Sequence, residues 1–249
     1  MRGDFNQLPG ENKRLVIAID GPAGAGKSTV ARIVAERLGY LYIDTGAMYR
    51  ALTLKALREG VPLDDPEALT NLALHTDIQL IPPGRTANQA ADGQERVTQV
   101  LLDGQDVTEA VRSPEVNAAV SLVSQVPGVR HHLVALQRQL ARNEGVVMDG
   151  RDIGTHVLPD ANYKFFVTAS LEERMRRRYA ELKEKGYQAD EKEIMANIAG
   201  RDRIDSQREV APLKMAEDAI PVDTTGQSVE SVVERILQLC GRGEGKDVL

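Results

Sequence analysis

Leu15-Val16-Ile17-Ala18-Ile19-Asp20-Gly21-Pro22-Ala23-Gly24-Ala25-Gly26-Lys27-Ser28-Thr29 runs from a short apolar segment, of the kind buried in a parallel sheet, straight into a glycine-rich loop. Val30, Ile33, Val34 and Leu38 then recur at helical spacing, and Gly39 supplies the stop. Strand, Gly-x-x-x-x-Gly-Lys-Ser and helix, in that order, is the context in which this loop cradles phosphate. Each part has a chemical reason. Glycines let consecutive N–H groups turn inward around phosphate oxygens, and the helix N-terminus adds partial positive charge. Lys27 can bridge the outer phosphates of a nucleoside triphosphate, and the Ser28 hydroxyl can join a Mg2+ shell. An inconsequential turn would rarely hold Lys27 and Ser28 in register behind a strand. Residues 21–29 are therefore expected to bind the triphosphate.

Further strands follow at Tyr40-Leu-Tyr-Ile-Asp44, Val146-Val-Met-Asp149, Lys164-Phe-Phe-Val-Thr168 and Pro221-Val-Asp-Thr-Thr225. Helices are expected at 29–38, at 47–59, from near Pro66, after Ser113-Pro114, from Pro127 to about 143, after Ser170, after Asp190 and after Ser228. Ser170-Leu-Glu-Glu173 has the form of a capping box. Strands alternating with helices of crossover length predict an α/β fold, a parallel sheet with helices on both faces. The stretch 78–108 differs: Ile78-Gln-Leu-Ile81 and 97–108 read as short strands, with Asp103-Gly104 as a hairpin turn. It is expected to be an inserted antiparallel patch. The phosphate-loop domain is expected over 15–240, between an unstructured leader at 1–14 and a loose tail at 241–249.

Composition narrows the class. The net charge of −6, from 31 basic and 37 acidic residues, argues against a protein that coats nucleic acid. No apolar run approaches the ~20 residues that span a bilayer, and a single cysteine, Cys240, excludes an internal disulfide. A cytoplasmic monomer with no membrane or nucleic-acid partner is expected.

A phosphate loop does not name an acceptor. A GTPase would want Asn-Lys-x-Asp, which is absent, and Asp-x-x-Gly occurs only at Asp223 to Gly226, near the C-terminus. Three constellations are more informative: Asp44-Thr-Gly-Ala-Met-Tyr-Arg50 and Asp149-Gly-Arg-Asp152 at strand ends, and Arg201-Asp-Arg-Ile-Asp-Ser-Gln-Arg208 on a helix. Ends of parallel strands are where α/β sheets bind ligands.

With the phosphate loop and Ala211-Pro-Leu213, these segments resemble the bacterial cytidylate kinases, CMP/dCMP kinases of the nucleoside monophosphate kinase group, from about Leu15 to Leu239. The resemblance implies ATP as donor with Mg2+, CMP or dCMP as acceptor, an inserted monophosphate-binding subdomain at 78–108 and a helical lid at 170–208. It implies that Thr45, Arg50, Ser121, Arg130, Arg151, Asp152, Arg201, Asp205 and Arg208 form the acceptor site. Arg50, Arg151 and Arg208 would hold phosphate; Ser121, Arg130 and Asp152 would read cytosine; Arg201 and Asp205 would lie at the ribose. Asp149, with Ser28, would serve Mg2+. Lys27, Arg151, Arg174 and Arg178 would be catalytic, with Arg174, Arg177 and Arg178 on the lid and the loop at 222–225 beside the adenine.

Spacing alone would read several of these residues more modestly. Arg201 and Asp205, four apart, would form a helix-surface ion pair worth ~0.3–0.5 kcal/mol. The arginines at 174–178, with Glu172 and Glu173 beside them, would form a solvated face, and Ser121 would be a small polar residue in mid-helix. The adjacent His131 and His132 point different ways and read as helix surface.

Overall fold

The computed structural model describes residues 15–82, 98–142, 144–184 and 186–241. The elements run β1 (Val16–Asp20), α1 (Lys27–Leu38), β2 (Leu41–Asp44), α2 (Thr45–Glu59), α3 (Pro66–Leu74), β3 (Ile78–Ile81), β4 (Gln99–Leu102) and β5 (Gln105–Asp106). They continue with α4 (Pro114–Ser124), α5 (Pro127–Leu140), β6 (Val146–Gly150), β7 (Tyr163–Thr168), α6 (Leu171–Glu184), α7 (Glu191–Gln207), β8 (Ile220–Asp223) and α8 (Val229–Gly241). Five strands form one sheet in the order β2-β6-β1-β7-β8, all pairs parallel. The strand before the phosphate loop is therefore central, and β6 lies beside it.

Alternate residues of β1 face opposite cores. Ile17 and Ile19 pack with Val147, Phe165, Val167 and Val222 under α1 and α8. Ala18 packs with Ile43, Val146 and Met148 under Val134 of α5. Burial on both faces is why β1 reads as an unbroken apolar run rather than an alternating one. Truncating a fully buried side chain here, such as Phe165, should cost about 3–5 kcal/mol. Cys240 belongs to the α8 side of this core, and burial pushes its thiol up to about 12, so it packs rather than reacts.

The inserted patch is a three-stranded antiparallel sheet, β3-β4-β5. Asp103 and Gly104 both have positive φ, 49° and 79°, which makes the mirror-image turn that suits a two-residue hairpin. Val100 and Leu102 pack with Val107, Val111 and Val116 against α2. Residues 83–97 of the expected insertion, the leader at 1–14 and the tail from 242 lie outside the described residues.

Several boundaries differ from expectation for local reasons. The first helix opens at Lys27 rather than Thr29, because Gly26, left-handed at φ 86°, ends the loop there. The second opens at Thr45, because the Asp44 carboxylate caps the amide of Ala47. The helix from Pro127 ends at Leu140, short of 143. Only half of the capping box forms: the Ser170 hydroxyl accepts the Glu173 amide at 3.1 Å, but Glu173 pairs with Arg176 and Arg177 instead of reaching back. The amide it would have taken, that of Ser170, donates to Thr225 at 2.9 Å.

Candidate active site

The phosphate loop lies where β1 meets α1, at the C-terminal edge of the sheet. Gly21 has φ 146°, and a Cβ there would stand 1.9 Å from the Val167 carbonyl oxygen on β7. No other residue could let the loop leave the strand so close to its neighbour. The Lys27 ammonium is buried and donates to the Pro22 carbonyl at 2.7 Å. Burial, and then the positive charge of Arg151, lower its pKa to about 7. The carboxylates of Asp149, Asp20 and Asp205 oppose that shift, and an anion at this point would add to them.

The loop is joined to β6 through Asp149. Its carboxylate accepts from the Ser28 hydroxyl at 2.9 Å and from the buried Tyr42 hydroxyl at 2.8 Å. The Thr45 hydroxyl donates to the Asp149 carbonyl at 2.7 Å, so this threonine ties the start of α2 to β6. Burial, followed by the charge of Asp44, raises Asp149 to about 6, while Lys27, Tyr42 and Ser28 pull it down. A serine hydroxyl and a carboxylate are the hard oxygen donors that Mg2+ takes, and the ion commonly completes its shell with water and substrate phosphate. Among the described residues no group of three or more His, Cys, Asp or Glu side chains could hold a metal ion.

Six of the sequence-predicted acceptor residues fall into two hydrogen-bonded groups, Arg130, Asp152 and Arg208 in one and Ser121, Arg151 and Asp205 in the other. Asp152 lies at the hub: Arg130 donates to one of its oxygens and Arg208 to the other, the latter at 2.9 Å, all three side chains being buried. Arg208 was expected on one helix with Arg201 and Asp205. It instead follows the last residue of α7 with extended backbone, which swings it to Asp152 and to the Ala211 carbonyl at 2.7 Å. Arg130 also lies over the Tyr49 ring, 5.5 Å from its centroid.

Asp205 does not make the surface pair with Arg201 that spacing suggested. It accepts from Arg151 at 2.9 Å and stands 3.5 Å from the Ser121 hydroxyl, the outer limit of a hydrogen bond. Burial works to raise its pKa, but Arg151, Arg201 and Arg208 hold it below the ordinary value. Arg201 is lowered to about 10, first by burial and then by Arg151, with Arg50 and Arg178 adding to the repulsion. Arg50 folds back onto Asp44 at 2.8 Å, over Gly46, where a Cβ would stand 2.9 Å from its guanidinium. The Nε atoms of Arg50, Arg130 and Arg201 are buried without a partner. Buried donors left unpaired cost about 1–3 kcal/mol each, a cost that acceptor atoms brought by a ligand would relieve.

The arginines of α6 divide. Arg174 is buried and donates to the loop carbonyl of Ala23 at 3.0 Å while pairing with Asp202 of α7. Arg177 donates to Thr224 and Glu173 and reaches the Ala25 carbonyl at 3.4 Å. Arg178 pairs with Glu181 and is half-exposed. Three residues here were missed by sequence reasoning. Tyr42 was seen only as a strand residue. Asp202 was overlooked beside Arg201, though its carboxylate accepts the Ala23 amide at 3.2 Å. Asp20 was read as a strand end; a charged residue closing an apolar strand was the available signal.

The parallel sheet and the glycine-rich loop between its central strand and α1 define the class: a P-loop protein. The model of the cytidylate kinase family matches residues 17–242, and the chain belongs to that family. Its sequence is 56% identical over 230 residues to the cytidylate kinase of Symbiobacterium thermophilum, covering 92% of this chain and 97% of the relative. It is 56% identical over 223 residues to that of a Geobacillus species (90% and 95%) and 52% over 226 residues to that of Bacillus subtilis (91% and 96%). Among the described residues no helix is long and apolar enough to cross a membrane.

Proposed function

We propose that the chain transfers the γ-phosphoryl group of ATP to CMP or dCMP, giving ADP and CDP or dCDP. The observation that carries this reading is the gathering of Lys27, Arg151, Arg201 and Arg50 near the loop: the charge of Arg151 lowers both Lys27 and Arg201, and the Nε atoms of Arg50 and Arg201 are buried without a partner. Phosphoryl transfer between phosphates needs little acid–base chemistry, since the acceptor oxygen is already a competent nucleophile at neutral pH. Alignment, charge neutralisation and water exclusion remain.

In this reading residues 21–29 hold the triphosphate, with Lys27 on its outer phosphates. Mg2+, held from the protein side by Ser28 and Asp149, would neutralise charge on the donor phosphates. Arg50 and Arg151 take the acceptor phosphate, being planar forks that bind it bidentately and cannot lose their charge. Ser121, Arg130 and Asp152 read the cytosine edge, and Arg201 and Asp205 flank the ribose. Arg208 acts partly through Asp152, on which it lies. The insertion at 78–108 and the α6–α7 segment close over the substrates, with Arg174 and Arg178 on the lid and Arg174 steadying the loop it already touches. A cytoplasmic monomer acting on small molecules fits this chemistry.

Incubation of the protein with ATP, CMP and Mg2+, followed by chromatographic separation of the nucleotides, tests the reading. Equal amounts of CDP and ADP should form, and ATP alone should be consumed far more slowly. Consumption of ATP at the same rate without an acceptor would instead mark a P-loop ATPase.

A further inference from the structure

Asp20 ends β1 one residue before the phosphate loop, and its carboxylate is buried. A buried charge is tolerated only with full hydrogen bonding. Its partners are remote in sequence: Oδ1 accepts the amide of Ile153 and Oδ2 that of Gly154, each at 2.7 Å, across 133 and 134 residues.

Those two amides open the π turn Ile153–Val157, in which the Asp152 carbonyl accepts from Val157 at 3.0 Å and the Ile153 carbonyl from Leu158 at 2.7 Å. The first amides of any helical turn lack partners within it, and an Asp just before the turn ordinarily turns its own side chain back to supply them. Asp44 and Asp190 do so at the starts of α2 and α7. Asp152 occupies the same position yet makes no such cap. Its two oxygens go to Arg130 and Arg208 instead.

We infer that Asp20 is a specificity-positioning residue: by capping the π turn from the donor side of the site, it frees the Asp152 carboxylate to face the acceptor base. Without Asp20, the exposed amides of Ile153 and Gly154 compete for the nearest carboxylate, which is that of Asp152, and draw it off the arginines. The inference rests on the proposed role of Asp152 in reading cytosine. It adds that the strand carrying the donor loop also sets the reading edge of the acceptor pocket.

Asp20→Asn is the test, because the amide nearly matches the carboxylate in size and keeps one acceptor. Its Nδ2 then opposes one N–H donor, so one cap is lost and the fold is kept. In steady-state assays with ATP, kcat/KM for CMP should fall roughly tenfold through KM for CMP, the effect expected of one buried mismatch. Discrimination of CMP over UMP should narrow severalfold, and the KM for ATP should move much less. Equal losses for CMP, UMP and ATP would mark Asp20 as merely structural and overturn the inference. A crystal structure of the variant separates this failure from failure of the functional reading. Asp152 turned toward its own loop amides supports the inference whichever monophosphate proves best. Asp152 still on Arg130 and Arg208 overturns it.

Discussion

Replacing Asp152 with alanine should destabilise the ligand-free protein severely. The side chains of Asp152, Arg130 and Arg208 are 6%, 1% and 2% exposed, so one carboxylate neutralises two guanidinium groups that water barely reaches. Removing one partner of a buried pair typically costs about 3–5 kcal/mol, because an uncompensated charge stays behind. Two charges stay behind here, but each keeps other partners. Arg130 retains the Ser124 carbonyl at 3.2 Å and the Tyr49 ring, and Arg208 retains the Ala211 carbonyl. A loss of about 3–5 kcal/mol is therefore expected rather than twice that. In a domain of this size it lowers Tm by roughly 6–20 °C. Asp152→Asn keeps the shape and one acceptor and should lose about half as much. Urea unfolding followed by far-ultraviolet circular dichroism, without nucleotide, gives both values. A loss below about 1 kcal/mol for alanine, or none for asparagine, would show that Asp152 is not the hub of the arginine cluster.

Lys27→Ala should lower kcat at least ~100-fold, as removal of a phosphate-neutralising group does, while leaving the urea midpoint unchanged or slightly raised. Burial already disfavours the ammonium, which is lowered to about 7, so an unfolded variant or near-normal turnover would contradict its role. Asp202→Ala should raise the KM for ATP severalfold and cost about 1–3 kcal/mol, since both the Ala23 amide and Arg174 lose a partner; unchanged nucleotide affinity in a fluorescence titration would refute this. The stability gap between wild type and Asp20→Asn should depend on pH. Burial raises Asp20 from 3.8 to about 6, so as pH falls the folded state takes the proton first. Wild type should then gain on the order of 1 kcal/mol relative to the variant between pH 7.5 and 5.0, and a flat difference across that range would contradict the shift.

The sheet was legible because burial on both faces writes unbroken apolar strands, and because Gly21 to Ser28 can only follow one of them. The hairpin was legible because Asp103-Gly104 tolerates two positive φ values. The acceptor residues were legible as a set, but not in their pairing. Helical spacing joined Arg201 to Asp205, whereas the tertiary fold gave Asp205 to Arg151, the residue after β6, and left the Arg201 Nε unpartnered. The lid arginines were taken as one face, yet Arg174 is buried against loop carbonyls and Arg178 is not, a division set by contacts far away in sequence. The π turn after Asp152 was invisible for the same reason. Its cap, Asp20, lies more than 130 residues upstream.

The central claim is that this cleft reads cytosine, and relative kcat/KM for CMP, dCMP, UMP and AMP with ATP as donor tests it most directly. Uracil carries an oxygen where cytosine has its amino group, so the Asp152 carboxylate would face another acceptor. A mismatch of that kind costs ~1–3 kcal/mol, or roughly ten- to over a hundredfold. CMP and dCMP should exceed UMP by that factor, and AMP, whose purine is larger than the pyrimidine this reading fits, should scarcely react. AMP as the best acceptor, or UMP equal to CMP, would contradict the account even with the phosphate loop working as described.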